Sequence, residues 1–407
     1  MDSQVTQPHM KQSAFNAHGG PLVSLMVDEQ RSALLREITM NLQDVILNER
    51  NLCDLELLAT GALSPLTGFM SRPDYESVLD RMRLQDGTLW PVPVCLDIPE
   101  QTASRLEAGQ SVALRDGEGF LLAVMHIEDL WPLDPGKEAD RIYGTRDLSH
   151  PGVNYLYKTS GTWYIGGSLE MVNLPIHFDF KQIRLQPEEV RSQYQKLGWQ
   201  RIVGFQTRNP VYRPQFEMTI HAMRQAKANL LIMSVVGMTK KDDFDHFIRV
   251  RCNRKVTEHY PPDSTLMTLL PLAVRMSGPR DALFDAIIAK NYGCTHFIIG
   301  HDHASPGPDS NGNPFYPVAR AKETAASFAD EIGIELVLFE EMVYLPFEDE
   351  YRSADQVLPR VSPFPARISA NASAWAKTSR TGRFFRKSPQ SFARPIPRRP
   401  CRGSPCF

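Results

Sequence analysis

Gln206, Thr207, Arg208 and Asn209 stand side by side in the stretch GFQTRNPVYRPQFE, residues 204–217. An amide, a hydroxyl, a guanidinium and a second amide all donate hydrogen bonds, and the guanidinium adds a permanent charge in a planar fork. That set suits a small oxyanion or a polyphosphate. The apolar run at 201–205 reads as a strand, and the residues after Pro210 open a helix. A strand that turns into a helix N-terminus points free backbone N–H groups and the helix dipole at a ligand. A second stretch, THFIIGHDHASPG at 295–307, begins the same way and then breaks into Gly300, His301, Asp302, His303, Ala304 and Ser305. Two such loops, about 90 residues apart, predict a crevice at the carboxyl ends of parallel strands, where open α/β sheets bind ligands.

The elements that must position these loops follow from the rhythm of the chain. From about residue 188, strand patterns (201–205, 229–236, 295–299, 334–339) alternate with helical ones (215–228, 279–290, 319–332). This predicts a parallel α/β sheet over 187–359. The proline and acids at 187–189 mark a helix start. Residues 18–186 carry short strand signals at 89–94, 111–114 and 120–124, separated by turn clusters such as RDGEG at 115–119, with a helix near 73–83. They predict a mostly β domain. Residues 1–17 are polar and expected to be loose.

The 407 residues suffice for two or three domains, and 42% hydrophobic residues is ordinary for a globular protein. No run of about 18 apolar residues predicts a membrane span. The N-terminus lacks the basic and apolar regions of a secretory signal. Six scattered cysteines form no CxxC pattern; they fit a reducing compartment, and a cytoplasmic protein is expected.

The motifs together identify a family. HGG at 18–20, LSPLTGFM at 63–70, HPGV at 150–153, QTRNP at 206–210, VVGMTK at 235–240, LLPLAVRMSGPR at 269–280, KNYGCTHFIIG at 290–300 and EMVYLP at 341–346 occur in order. From about His18 to Pro359 the chain resembles ATP sulfurylase (sulfate adenylyltransferase). The resemblance implies a PUA-like first domain and a Rossmann-like nucleotidyltransferase domain. It implies a reaction in which ATP and sulfate give adenosine 5′-phosphosulfate and pyrophosphate, with Mg²⁺ arriving on ATP. By the same resemblance Gln206, Arg208 and Ala304 hold sulfate, and Thr207 and Asn209, with Gln206, meet ATP. Gly300, Asp302 and His303 line the nucleotide pocket, and Met342 and Val343 meet adenine. No GxxxxGK[ST] loop appears, so a fused adenylylsulfate kinase is not expected.

The chain departs from the family where the phosphates should lie. The usual QTRNPxHxxH places two histidines where this chain has Tyr212 and Gln215. HPxVG becomes Met233-Ser234-Val235-Val236-Gly237, and GRDHAGPG becomes GHDHASPG, with His301 for arginine and Ser305 for glycine. Tyr212 and Gln215 still donate neutral hydrogen bonds. Two readings stay open: an active or re-tuned adenylyltransferase, or a relative that binds sulfate or a nucleotide without turnover. For Tyr212, core packing stands beside phosphate donation; for Asp302, a turn role stands beside a ligand role. His246, Arg249 and Arg251 either steer anions or sit on a helix face. LSPLTGFM, Lys290 and the GPR at 278–280 are expected to be structural.

The net charge of −2 conceals an asymmetry. Residues 361–407 hold 10 Lys and Arg and no acid, leaving 35 basic against 47 acidic residues in the rest. Composition predicts a disordered tail over 360–407. Read one frame over, with the third base of each codon joined to the next two, the codons from Arg360 can spell RISISGTDLRERLGMGKDIPDW. That resembles the family's usual ending, so an out-of-frame tail is expected. With the first domain not basic and the basic excess confined to that out-of-frame tail, nucleic acid is not the expected partner. The expected partners are ATP and sulfate, with a homo-oligomer left open.

Overall fold

The computed structural model describes residues 16–239 and 243–357. The expected out-of-frame tail lies outside the described residues, as does nearly all of the expected loose segment 1–17.

The first lobe is built on one six-stranded sheet: β1 (Gln43–Ile46), β2 (Gly68–Phe69), β3 (Leu96–Ile98), β4 (Ser111–Arg115), β5 (Leu121–Pro132) and β6 (Trp163–Met171). The order is β1-β4-β5-β6-β2, with β3 also on β6. Only β1 and β4 run parallel. Residues 89–94, expected as a strand, make only an isolated bridge between Leu89 and Arg83. Pro91 and Pro93 lack the N–H that a ladder needs, so pairing starts later, at Leu96. The helix expected near 73–83 spans Arg72–Arg81, capped by Ser71. Helices Glu29–Ile38, Glu49–Ala59 and Pro151–Lys158 were not expected. Glu49–Ala59 buries eight of its eleven residues, so it lacks the one-sided stripe that betrays a surface helix.

The second lobe is a parallel sheet of β7 (Ile202–Thr207), β8 (Asn229–Val235), β9 (Thr265–Leu270), β10 (His296–Ile299) and β11 (Glu335–Leu338), ordered β11-β10-β7-β8-β9. Its central strands are buried on both faces, which is why they read as continuous apolar runs. The chain winds outward from β7 through β8 to β9, then returns to lay β10 and β11 on the other side of β7. The winding therefore reverses between β7 and β10, and a crevice opens there at the carboxyl ends. Helices Arg213–Ala226, Pro279–Asn291 and Arg320–Ile332 stand where periodicity put them. β9 and the hairpin β12 (Met342–Leu345) with β13 (Glu350–Ser353) were not read from the sequence, and the 246–251 run, for which a helix face was one of two readings, lies in helix His246–Thr257.

The lobes share one hydrophobic core and several buried polar ties. Asn291 Nδ2 donates to the carbonyls of Ala62 and Ser64, each at 2.9 Å. Arg275 Nη2 meets both oxygens of Asp54 at 2.8 and 2.7 Å. Arg280 donates to the Val78, Leu79 and Pro91 carbonyls. His150 Nε2 lies 3.1 Å from the Met276 carbonyl and 3.0 Å from the Tyr316 hydroxyl. Ser64, in LSPLTGFM, donates to the Gly61 carbonyl and accepts from the Val23 N–H. These family motifs thus act here as joints. Buried charge pairs bring little net stability, because desolvation offsets attraction, but they fix orientation once formed. No helix among the described residues is long and apolar enough to cross a membrane.

Candidate functional site

Gln206 and Thr207 end β7, and the chain breaks over 208–211 before helix Arg213–Ala226 begins, with Tyr212 at its N-cap and a proline in its first turn. The break is self-closing: Thr207 Oγ1 donates to the Asn209 carbonyl (3.0 Å) and accepts from the Asn209 N–H (3.1 Å). Helix His246–Thr257 braces it from the side. Asn253 Oδ1 accepts from the Val211 N–H at 2.8 Å, while Asn253 Nδ2 donates to Ser234 Oγ at 3.1 Å. Arg249, only 2% exposed, donates to the Arg208 carbonyl. The choice left open for the 246–251 run therefore resolves residue by residue. Arg249 is a buried brace, His246 sits 3.2 Å from Asp179 Oδ2, and Arg251 is exposed.

Arg208 joins the two loops. Its Nη1 meets Asp243 Oδ1 and Oδ2 at 2.9 and 3.0 Å, and its Nη2 reaches the Ser305 carbonyl at 3.4 Å. Strands β7 and β10 are direct neighbours, Val203 opposite His296 and Gly204 opposite Phe297, so their terminal loops must emerge side by side. Beyond β10, the Ser305 N–H bonds the Asp302 carbonyl at 3.1 Å and closes a turn. Asp302 itself is exposed. Ala304 is held left-handed, with φ +57°. That conformation costs a residue with a Cβ about 1–2 kcal/mol and persists because the turn and its neighbours over-determine it.

The remaining expected residues are placed as follows. His303 Nε2 lies 3.0 Å from Asp285 Oδ2, and its ring stands edge-on to Phe297. Asp285 belongs to helix Pro279–Asn291, and one turn earlier burial raises the Asp281 carboxyl above its ordinary range. His301 Nδ1 lies 3.2 Å from Glu340 Oε2, and Glu340 also binds Lys322. Gly300 is half-buried at the strand end. Met342 and Val343 open the hairpin beside helix Arg213–Ala226, and Met342 packs on the core beneath it. Arg213 ties the helix to the hairpin turn through Asp349 at 2.8 Å. Tyr212 is 44% exposed, which removes core packing as its role. Gln206 and Gln215 each bury an Oε1 that has no partner among the described residues. An amide carries both an acceptor and a donor, so either side chain can turn to offer its NH₂ instead.

Asp243, Asn253 and Asp285 are the residues that sequence reading missed, together with the bracing role of Arg249. The signal available was weak: arginine and asparagine in a polar helix look solvated until the fold buries them. Among the described residues no group of three or more His, Cys, Asp or Glu could hold a metal ion.

A Rossmann-like α/β lobe with donor-rich loops meeting at its switch point, packed on a mostly β lobe, defines a ligand-binding α/β protein of two lobes. A family model described as ATP-sulfurylase matches residues 181–369, and a PUA-like domain model matches 15–174. The chain is 45% identical over 348 residues to the sulfate adenylyltransferase of Schizosaccharomyces pombe, covering 85% of this chain and 69% of that one. It is 44% identical over 346 residues to that of Mycosarcoma maydis, covering 84% and 60%. Among solved structures, a hexameric APS kinase from Thiobacillus denitrificans matches with a TM-score of 0.70 at 29% identity, over 86% of this chain and 62% of that one. The chain belongs to the ATP sulfurylase family. It spans only about 60% of the length of several of these relatives, including the one from Mycosarcoma maydis.

Proposed function

We propose that this chain is a sulfate adenylyltransferase, in which a sulfate oxygen attacks the α-phosphorus of ATP in line and pyrophosphate leaves. One P–O bond forms as the bridging P–O bond breaks, so the protein's work is positioning and charge stabilisation. The observation that carries the reading is Arg208, a guanidinium that spans both loops at the switch point. In this reading Gln206, Arg208 and the backbone of left-handed Ala304 hold sulfate. Thr207 and Asn209 meet the ATP phosphates, with Gln206 at the boundary. Gly300, His301, Asp302 and His303 line the nucleotide, and Met342 and Val343 take adenine. Tyr212 and Gln215 replace the family's histidines as neutral donors.

Mg²⁺ would come with ATP. The crevice residues supply donors rather than a carboxylate cluster, which fits a metal held through the phosphates, where it neutralises charge on the leaving pyrophosphate. Cys53, Cys95 and Cys294, buried as free thiols, suit a cytoplasmic setting.

One observation favours a second reading, a relative that binds without turnover. The Asp243 carboxylate already takes Arg208 from both oxygens, as a bound oxyanion would. Sulfate-dependent release of pyrophosphate from Mg-ATP by the purified chain separates the two. Release supports the adenylyltransferase. Binding of adenylylsulfate with no release supports the second reading.

A further inference from the structure

Arg50 lies on helix Glu49–Ala59, inside the joint between the lobes and away from the crevice loops. It is only 9% exposed. Among the described residues nothing hydrogen-bonds or ion-pairs with its guanidinium, which rests over the Tyr155 ring at 4.5 Å. Guanidinium stays protonated in proteins, and a buried charge is ordinarily paired because losing its hydration is costly.

The nearby carboxylates do not supply that pair. Asp54, one turn along the helix, gives both oxygens to Arg275. Asp97 accepts from the Tyr155 hydroxyl, Asn48 and the Gly161 N–H. Glu138 accepts from the Tyr75 and Tyr164 hydroxyls, and burial raises it toward its neutral form.

What Arg50 does meet is a cavity of about 30 Å³, lined also by Tyr143, Gly152, Tyr155, Thr239 and Arg275. Among the described residues Arg50 and Arg275 are its only charged lining residues, and Arg275 is committed to Asp54. The N-terminal turn of helix Pro151–Lys158 contributes Pro151 and Gly152 to the wall, with its first N–H groups capped by His150 Nδ1. Gly152 is required for this shape, since a Cβ would come within 2.4 Å of the Tyr143 ring.

We propose that this cavity is a buried site for a small monovalent anion, a halide such as chloride, which completes the charge of Arg50. The sign follows from the lining: an uncommitted guanidinium and, among the described residues, no carboxylate. The size follows from the volume. One water needs roughly 10–15 Å³ measured this way, so the space suits a halide rather than a tetrahedral oxyanion. Met238 and Thr239 line the cavity and directly follow the end of β8. They stand four residues or so before Asp243, which grips Arg208. An anion held there steadies the joint and the start of that segment, independently of any turnover.

The test uses the full chain. Its thermal midpoint is measured in sodium chloride, in bromide and in gluconate at equal ionic strength. The expected result is a saturable rise of about 2–4 °C with either halide, absent in Arg50→Gln. Crystals of the unaltered protein grown in bromide should show an anomalous peak beside the Arg50 guanidinium. A water there in place of the peak, or a halide rise undiminished in Arg50→Gln, overturns the site. Should that variant fail to fold, the bromide map of the unaltered protein decides alone.

Discussion

The β7 edge of the crevice and its nucleotide edge are held to very different degrees. At the first, Arg208 has its guanidinium on Asp243 and Ser305 and its carbonyl on buried Arg249. Its neighbours close on each other through Thr207, and Ala304 is locked left-handed. At the second, Tyr212 is 44% exposed, Gln215 buries an Oε1 without a partner among the described residues, and His301 reaches only a half-exposed Glu340. The firm edge keeps every residue that the family resemblance assigns to sulfate. The loose edge carries Tyr212, Gln215 and His301 in place of the family's residues. Catalytic electrostatics works through donors fixed before the charge develops. Under the proposed function, the contrast therefore places any deficit in handling the ATP phosphates, with the anion grip intact.

Four measurements break or sharpen that contrast. Arg208→Ala should do most harm, lowering kcat/KM for sulfate by about 10²–10³-fold, the usual cost of one preorganised donor. A loss under tenfold would dissolve the idea of a firm edge. Restoring both histidines, Tyr212→His with Gln215→His, should raise kcat by about tenfold or more and leave KM for sulfate unchanged. A fall in kcat would show that the neutral donors are adapted to this site. Asp243→Asn weakens the internal competitor for Arg208, and a partly exposed pair is worth on the order of 1 kcal/mol. The expected result is a KM for sulfate about two- to fivefold lower, and a rise would recast Asp243 as a support of the grip.

The smallest effect concerns the joint beneath both edges. Burial lowers His150 from 6.5 to about 4. Its folded value thus lies below its unfolded one, so the stability it supports is complete above about pH 6.5 and is lost as pH falls toward 4. The thermal midpoint should drop by a few degrees across that window, less so in His150→Gln. An equal drop in both proteins would assign the acid sensitivity elsewhere.

Much of this was legible beforehand because it depends on local pattern. The buried parallel strands announce themselves as apolar runs, and helices Arg320–Ile332 and Pro187–Leu197 show one-sided stripes, end signals or both. Residues 89–94 misled because β-rich composition was read without weighing two prolines. Helix Glu49–Ala59 escaped, and helix His246–Thr257 stood as only one of two readings, because burial on most sides, or a polar exterior, erases periodicity. At the site, QTRNP and GHDHASPG were legible as donor-rich loops. Their braces were not, since Arg249, Asn253 and Asp285 act only through partners tens of residues away.

The linear chain by itself determined the element types of the second lobe, the family, and which side chains can bind an oxyanion, because propensity, periodicity and donor chemistry are properties of neighbouring residues. Only the tertiary structure decided that β10 returns beside β7, that Asp243 sits on Arg208, that His303 is held by Asp285 and that Arg50 is buried without a counter-ion among the described residues. Those are long-range pairings, fixed by which surfaces the sheet and its helices must bury together, and no local pattern encodes them.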